Sequence, residues 1–441
     1  MGTSTKELKR VLTLKDLMGI GIGQVIGAGI MSLMGVAIAL TGRSAPISFL
    51  LSALLVLIGS IPTVIISSVV RLRGGNYTMA ALLSGKTMAG IIMFVYIITN
   101  ISMYALSFSD YAMAFLPSAP RQLIAFAILT VIFGINILGV DKMAKVQNVI
   151  VAVMCVALLA FAAFGVGKVS PDYFTEGFMP NGIGGILQAS AILIFATNGA
   201  FMVVSLSGEA KNPTRDIPLA IILSTALVSV LYAVLGVVAS GVLPVAEVAG
   251  KTLDVVAKEI MPSGVYVFFV VGGAMFALLS TLNAQFASSP KVILQGCVDG
   301  WLPKQIGYLH PKYKTPVVIM AFFYVIGLLP IFFGLDIEEI ASSATLVSQV
   351  AATLINLCIL RLPKLMPEAW ERSKFHMPQK LLVLLTVLCL AIGIFNIVVL
   401  ATTMTLPLLI GNIVIFVAML FYIVLRNRSG NVHMEISYEE E

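Results

Sequence analysis

Long apolar runs recur along the whole sequence of 441 residues and constrain the fold more than any other feature. A helix that crosses a bilayer needs about 20 mainly apolar residues. That length predicts twelve spanning helices, at residues 16–40, 45–70, 87–116, 121–139, 146–167, 183–206, 216–243, 262–288, 315–334, 338–361, 379–402 and 405–425. Only 11% of the residues are charged, whereas soluble domains have about 25%. The sequence therefore predicts an all-α polytopic membrane protein and excludes a soluble enzyme.

The order of these spans predicts one transmembrane domain over residues 16–425, between an N-terminal segment, 1–15, and a C-terminal tail, 426–441. The first span is not followed by a signal-peptide cleavage site, so we expect it to be retained. Spans 1–5 and 6–10 can form two halves of five helices each, at about 16–167 and 183–361. Spans 11 and 12, at about 379–425, follow as two extra helices.

The distribution of basic residues predicts the orientation of the chain. With the N-terminus inside, 22 of the 27 lysine and arginine residues fall in inner segments and 5 in outer ones. Cytoplasmic loops carry such an excess of basic residues. We therefore expect a multi-pass protein of the cell membrane with both termini cytoplasmic. The same bias explains the formal charge of +6 without a nucleic-acid partner.

Two spans are interrupted by small residues near their midpoints. Span 1 contains Gly27-Ala28-Gly29, and span 6 contains Thr197-Asn198-Gly199. Close packing of helices in lipid also favours small residues, so either segment alone has an ordinary explanation. However, spans 1 and 6 are the first helices of the two predicted halves. Broken helices at corresponding positions of two repeats are the best sequence indication of a transporter's binding site.

The chemistry of a broken helix indicates a zwitterionic ligand. The new helix N-terminus exposes N–H groups that suit a carboxylate, and the freed carbonyls suit an ammonium group. Spans 1, 6, 8 and 10 place no charged side chain at membrane depth, so a charged substrate side chain has no obvious counter-charge. Apart from acidic residues at the first two positions of a predicted span, Asp110 is the one acidic residue within a span, and its position near the outer end indicates a solvated surface carboxylate.

Other classes of function find little support in the sequence. The three histidines and four cysteines do not form a cluster with metal-ligand spacing, so we expect no metal and no cofactor. An intramembrane enzyme would need paired carboxylates or a nucleophile with a base, and the spans show neither. A channel or a receptor is a further alternative, and low turnover that saturates with substrate would exclude a channel.

Four motifs, in order along the spans, resemble those of the amino acid–polyamine–organocation superfamily of transporters. They are Ile26-Gly-Ala-Gly-Ile30, Gly74-Gly-Asn-Tyr77, the segment Glu209 to Pro218, and Asp299-Gly-Trp-Leu-Pro303. The chain is similar both to L-type amino acid exchangers and to arginine/agmatine antiporters. The resemblance covers nearly all twelve spans and implies a LeuT-like 5+5 inverted repeat with spans 1 and 6 broken.

The resemblance also implies a set of substrate-binding residues around the two breaks. The N–H groups of Ala28 and Gly29 would hold the carboxylate, and the carbonyls of Val25, Phe195 and Asn198 would accept from the amine. The Phe195 ring would close over the bound substrate. The full implied set is Val25, Ile26, Gly27, Ala28, Gly29, Asn100, Phe195, Ala196, Thr197, Asn198, Gly199 and Gln285.

The sequence departs from these relatives at three positions. Phe201 replaces the span-6 glutamate of the arginine and polyamine antiporters, and Ala200 replaces the bulky tryptophan of the L-type exchangers. Met154 stands at the coupling position, where some relatives have a span-5 lysine in place of sodium. Ala277, Ser280 and Thr281 lie on one helical face and are candidate sodium ligands. Their hydroxyls can instead bond to carbonyls of their own helix.

These observations predict a secondary transporter and not an enzyme. We expect exchange of small or medium neutral L-amino acids by alternating access, with an amino acid and the lipid bilayer as partners. A cationic amino acid/amine antiporter and a sodium- or proton-coupled symporter remain alternatives. The sequence leaves open the exact amino acid and any partner subunit.

Overall fold

The computed structural model describes residues 10–72, 75–97, 101–113, 115–116, 118–175, 177–333, 337–434 and 438–439. Within these residues the chain is mainly helical. The α-helices are α1 Leu14–Val25, α2 Ala28–Thr41, α3 Ala45–Val69, α4 Asn76–Ser84, α5 Lys86–Val95, α6 Ile101–Met113, α7 Arg121–Ile137, α8 Val140–Val166, α9 Gly182–Thr197, α10 Pro213–Gly241, α11 Val245–Val248, α12 Asp254–Ile260, α13 Ser263–Phe268, α14 Phe276–Val298, α15 Val317–Phe333, α16 Ile337–Cys358, α17 Leu362–Leu365, α18 Pro367–Arg372, α19 Gln379–Thr403 and α20 Leu406–Arg428.

Shorter elements connect some of these helices. The 3₁₀ helices are Gly42–Ser44, Ala200–Leu206, Lys304–Gly307 and Ile359–Arg361, and a π-helix, Phe269–Met275, joins α13 to α14. Two strands of two residues each, β1 Arg71–Leu72 and β2 Tyr438–Glu439, pair antiparallel. They join the segment after α3 to the C-terminal tail.

Nine stretches among the described residues are long and apolar enough to cross a membrane. They are Leu14–Met31, Leu33–Val69, Lys142–Val166, Gly182–Leu206, Pro213–Gly241, Ser263–Val298, Leu346–Leu365, Gln379–Val398 and Leu406–Arg428. Three predicted spans, 87–116, 121–139 and 315–334, contain the shorter apolar helices Lys86–Val95, Arg121–Ile137 and Val317–Phe333. The chain is thus a multi-pass helical membrane protein.

Two predicted spans differ in extent from the observed helices. The span predicted over 87–116 is divided between two helices, because α5 ends at Val95, a turn follows at residues 96–97, and α6 begins at Ile101. The span predicted over 262–288 is too short, since the π-helix and α14 continue it to Val298. Lys291, which the sequence places in a loop, therefore lies within α14 and is 4% exposed.

At the end of the bundle where the chain enters α1, here called the N-terminal end of the bundle, segments distant in sequence contact one another. Thr13 and Asp16 form a capping box at the start of α1. Just before it, the N–H groups of Val11 and Leu12 each donate to the Glu209 carbonyl at 2.9 Å. At the same end, Lys86 Nζ donates to the Val432 carbonyl at 3.1 Å. These contacts tie the entry to α1 and the C-terminal tail to the loops between spanning helices.

Candidate functional site

The first helix break lies where the sequence predicts it. The helix α1 ends at Val25, Ile26 is extended with φ −81° and ψ 97°, and α2 begins at Ala28. Gly27, between them, has φ −142° and ψ −147°. Because the first N–H groups of a helix have no intrahelical partner, those of Ala28 and Gly29 are available to a ligand. The start of α2 therefore has the positive end that suits a carboxylate.

The carbonyl groups of the first break are held by hydroxyls from neighbouring helices. Thr281 Oγ1 lies within hydrogen-bonding distance of the carbonyls of Gly23, at 2.9 Å, and Ile26, at 3.3 Å, and its single proton is donated to one acceptor at a time. The Tyr232 hydroxyl donates to the Val25 carbonyl at 3.1 Å. A carbonyl oxygen has two lone pairs, so the Val25 carbonyl keeps capacity for a second donor. The first break is thus positioned by α10 and α14.

The second helix break also lies at the predicted residues and is held mainly by its own segment. The helix α9 ends at Thr197, Asn198 is extended, and Gly199 has φ 137°. A residue with a side chain rarely adopts that φ, so glycine is required here. Asn198 Oδ1 accepts from the Gly199 N–H at 2.9 Å. The Thr197 and Ser52 hydroxyls lie 2.8 Å apart and are hydrogen-bonded, which ties the end of α9 to α3.

The two breaks lie against each other. An ideal Cβ placed on Gly29 would be 2.5 Å from Cα of Ala196, and one placed on Gly199 would be 2.8 Å from the Gln24 carbonyl oxygen. These approaches are possible only because neither glycine has a side chain. The structure therefore juxtaposes helix-end N–H groups from one break with helix-end carbonyls from the other.

Most of the predicted site residues belong to this junction. Val25, Ile26, Gly27, Ala28 and Gly29 form the first break, and Phe195, Ala196, Thr197, Asn198 and Gly199 form the end of α9 and the second break. Asn100 lies outside the described residues. Gln285 is half-buried on α14, where its Oε1 accepts from Ser289 Oγ at 3.0 Å, so its described contact is with its own helix.

The candidate sodium ligands lie beside the first break but have other partners. Ala277, Ser280 and Thr281 are all buried on one face of α14. The Thr281 hydroxyl also bonds to the Ala277 carbonyl, at 3.1 Å. Ser280 Oγ accepts from Gln147 Nε2 at 2.7 Å. Met154, at the coupling position, is fully buried in the apolar cluster that includes Val25 and Ile26.

A ladder of buried amides was missed by the reasoning from sequence. Asn136 Nδ2 donates to Asn283 Oδ1, and Asn283 Nδ2 donates to Gln147 Oε1, both at 2.7 Å. Gln147 Nε2 in turn donates to Ser280 Oγ, so the ladder links α7, α8 and α14. A Cβ on Gly23 would overlap Gln147 Nε2. Uncharged amides inside apolar spans were a signal that could have found this network, because such groups need partners in lipid.

Residues of the loop motifs meet at the N-terminal end of the bundle rather than at the breaks. Tyr77 donates to Asp299 Oδ2 at 2.6 Å. Lys291 and Glu209 form an ion pair of 2.7 Å with side chains only 5% and 2% exposed. Burial raises the pKa of the Glu209 carboxyl, and the Lys291 charge offsets part of that rise. Gly74 lies outside the described residues.

Asp110 is a surface carboxylate, as the sequence indicates. Its two oxygens accept from Nε and Nη2 of Arg121 at 2.6 and 2.8 Å. The two side chains are 45% and 37% exposed. Exposed ion pairs of this kind contribute little free energy, so Asp110 is no part of the junction between the breaks.

Two facing helix breaks in a bundle of apolar helices are a feature of many secondary transporters. The family model described as "Amino acid permease" matches residues 12–424. The chain therefore belongs to the amino acid permease family, within the amino acid–polyamine–organocation superfamily, as the motifs predict.

Relatives in this family carry different substrate names. The chain is 29% identical to the branched-chain amino acid permease BcaP of Bacillus subtilis, over 82% of this chain and 83% of that protein. It is 30% identical to the methylthioribose transporter of the same organism, over 71% of this chain and 73% of that protein. It is 27% identical to the mitochondrial cationic amino acid transporter 3 of Arabidopsis thaliana, over 80% of this chain and 62% of that protein.

Proposed function

We propose that this protein exchanges small or medium neutral L-amino acids across the cell membrane by alternating access. The observation that carries the proposal is the junction of the two breaks. There the N–H groups of Ala28 and Gly29 would bind the carboxylate. The carbonyls of Val25, Phe195 and Asn198 would accept from the amine, and Phe195 would close over the substrate. The expected contributions of Asn100 and Gln285 to the side-chain pocket belong to the same proposal.

The absence of charged residues near the breaks supports a neutral substrate. Residues 17–41, 182–206 and 276–290 include no Asp, Glu, Lys, Arg or His. Bringing an unpaired cation to the midplane costs at least about 2.5 kcal/mol on insertion scales. The branched-chain permease among the relatives has a neutral substrate in its name. The names of the Arabidopsis relatives favour the alternative of a cationic substrate, which would need a counter-charge that these segments lack.

The architecture proposed for this function has twelve spans, two inverted repeats of five and two additional C-terminal helices. In that arrangement both termini are cytoplasmic, as the distribution of basic residues favours. The repeats would rock against each other around the fixed junction of the breaks. The end of the bundle that holds Glu209 and Lys291 would then be the cytoplasmic gate.

We further propose that exchange is independent of sodium. The single hydroxyl proton of Thr281 is shared among nearby carbonyls, of which that of Gly23 is nearest at 2.9 Å, and Ser280 accepts from Gln147. The hydroxyl proton of Thr281 thus interacts with carbonyls that a hard cation would otherwise bind. Replacing sodium by choline should leave exchange unchanged. Steep sodium dependence, lost in Thr281→Ala or Ser280→Ala, would instead establish a symporter with a sodium site.

The experiment that tests the proposed substrate is counterflow into proteoliposomes loaded with unlabelled alanine. Labelled alanine, serine, valine, arginine, agmatine and methylthioribose are each offered outside. We expect the neutral amino acids to accumulate and to compete with one another. Arginine uptake that excess alanine does not diminish would reverse this assignment in favour of the cationic alternative. In the same assay, Met154→Lys should slow exchange, because it adds a charge at a fully buried apolar position.

A further inference from the structure

The side chain of Gln24 is a buried hydrogen-bond donor without a partner among the described residues. It is 6% exposed, one position before the end of α1, and its Nε2 has no acceptor in the part of the chain that the structure describes. Buried polar groups in folded proteins are nearly always satisfied. A donor with no protein partner is satisfied by an ordered water, by a ligand, or not at all.

The position of Gln24 favours a ligand as that partner. Its Cβ would be 3.3 Å from a Cβ on Gly199, and its carbonyl oxygen 2.8 Å from the same point. Along the chain, Gln24 directly precedes Val25 and the first break. It is therefore adjacent to both breaks and packs directly against the backbone of Gly199.

The chemistry of the amide limits what the ligand can offer. Nε2 is a donor and needs an acceptor. In the proposed pose the amine offers only donors and the carboxylate accepts from the N–H groups at the start of α2, and the acceptor for Nε2 is assigned to the substrate side chain. An ammonium or guanidinium group has donors but no acceptor, and an aliphatic chain has neither donors nor acceptors. A neutral side chain with a hydroxyl oxygen meets the requirement.

We propose that Gln24 is a specificity-determining residue that selects hydroxyl-bearing neutral amino acids, such as serine and threonine, over aliphatic ones of the same shape. This inference rests on the proposed function and names its substrate class. Threonine and valine are the discriminating pair, because they differ chiefly in one hydroxyl. The wild-type protein should favour threonine by about fivefold, the effect of one neutral hydrogen bond.

The test compares threonine and valine exchange in the wild type and in Gln24→Leu, which keeps the size and removes the amide. The preference for threonine should disappear in the variant while valine exchange is retained. Its melting temperature without substrate should rise, because an orphaned donor has been removed. Ile20→Leu, at a fully buried position of the same helix, is the matched control and should keep the wild-type ratio.

The outcomes separate the two proposals. Wild-type protein that exchanges threonine and valine equally, or Gln24→Leu that retains the preference, would overturn the role of Gln24 and leave the proposed function standing. Wild-type protein that exchanges neither would overturn the proposed function itself. If Gln24→Leu does not fold, substrate protection of the wild type decides: threonine should raise the melting temperature more than valine does, and equal shifts would refute the inference.

Discussion

The two helix breaks serve one junction but are stabilised in different ways. The first depends on hydroxyl groups from helices far along the chain, since Thr281 and Tyr232 donate to its carbonyls. The second depends on its own residues, because Asn198 bonds to the Gly199 N–H and Gly199 supplies a positive φ. Substitutions distant in sequence should therefore disturb the first break, whereas local backbone changes should disturb the second.

The largest effect is expected where the two segments are closest. Gly29→Val places a Cβ 2.5 Å from the backbone of Ala196, and two helix backbones cannot move apart without opening the junction. Destabilisation should reach the upper end of the roughly 1–3 kcal/mol typical of overpacking, and transport should be lost. Uptake and the melting temperature in detergent check this. Normal transport by this variant would show that the proposed site at the first break is wrong.

Gly199→Ala tests whether the second break depends on local backbone conformation. Alanine at φ 137° is strained, and its Cβ would approach the Gln24 carbonyl at 2.8 Å. We expect a loss of about 2 kcal/mol and a marked fall in exchange, measured by thermal unfolding and counterflow. Gly184→Ala is the control, because Gly184 lies within α9, the helix that ends just before Gly199, and has open space around it. Equal behaviour of the two variants would argue against a special backbone at Gly199.

Reasoning from sequence located the breaks because their cause is local. Glycine and asparagine in the middle of an apolar run indicate an interruption whatever surrounds them. The groups that hold the first break were not foreseen as its donors, since Thr281 lies 258 residues from Gly23. The sequence does not single out Gln24 either, because the surroundings of its side chain depend on the tertiary structure. A glutamine in an apolar helix becomes informative only when the structure shows that its amide nitrogen has no partner among the described residues.

Thr281→Val tests the dependence of the first break on α14. The substitution keeps the shape and removes the single hydroxyl proton, whose nearest acceptor is the Gly23 carbonyl at 2.9 Å and which also faces the carbonyls of Ile26 and Ala277. Unsatisfied carbonyls should cost about 1–2 kcal/mol, with slower exchange. The control is Thr386→Val, because this buried threonine bonds only to the Leu382 carbonyl of its own helix in the described contacts. A melting temperature lowered equally by both variants would mean that the link to the break contributes nothing.

Ser52→Ala should have the smallest effect and sharpens the contrast between the breaks. The Ser52 hydroxyl is bonded to that of Thr197 at 2.8 Å, yet Thr197 Oγ1 also donates to the Leu193 carbonyl at 3.1 Å. Thr197 therefore keeps a partner when Ser52 is removed, and the cost should be about 0.5–1 kcal/mol. Exchange should remain close to wild type, since Asn198 and Gly199 hold the break by themselves. A loss of transport in Ser52→Ala as large as that in Thr281→Val would show that the second break, like the first, is positioned by a neighbouring helix.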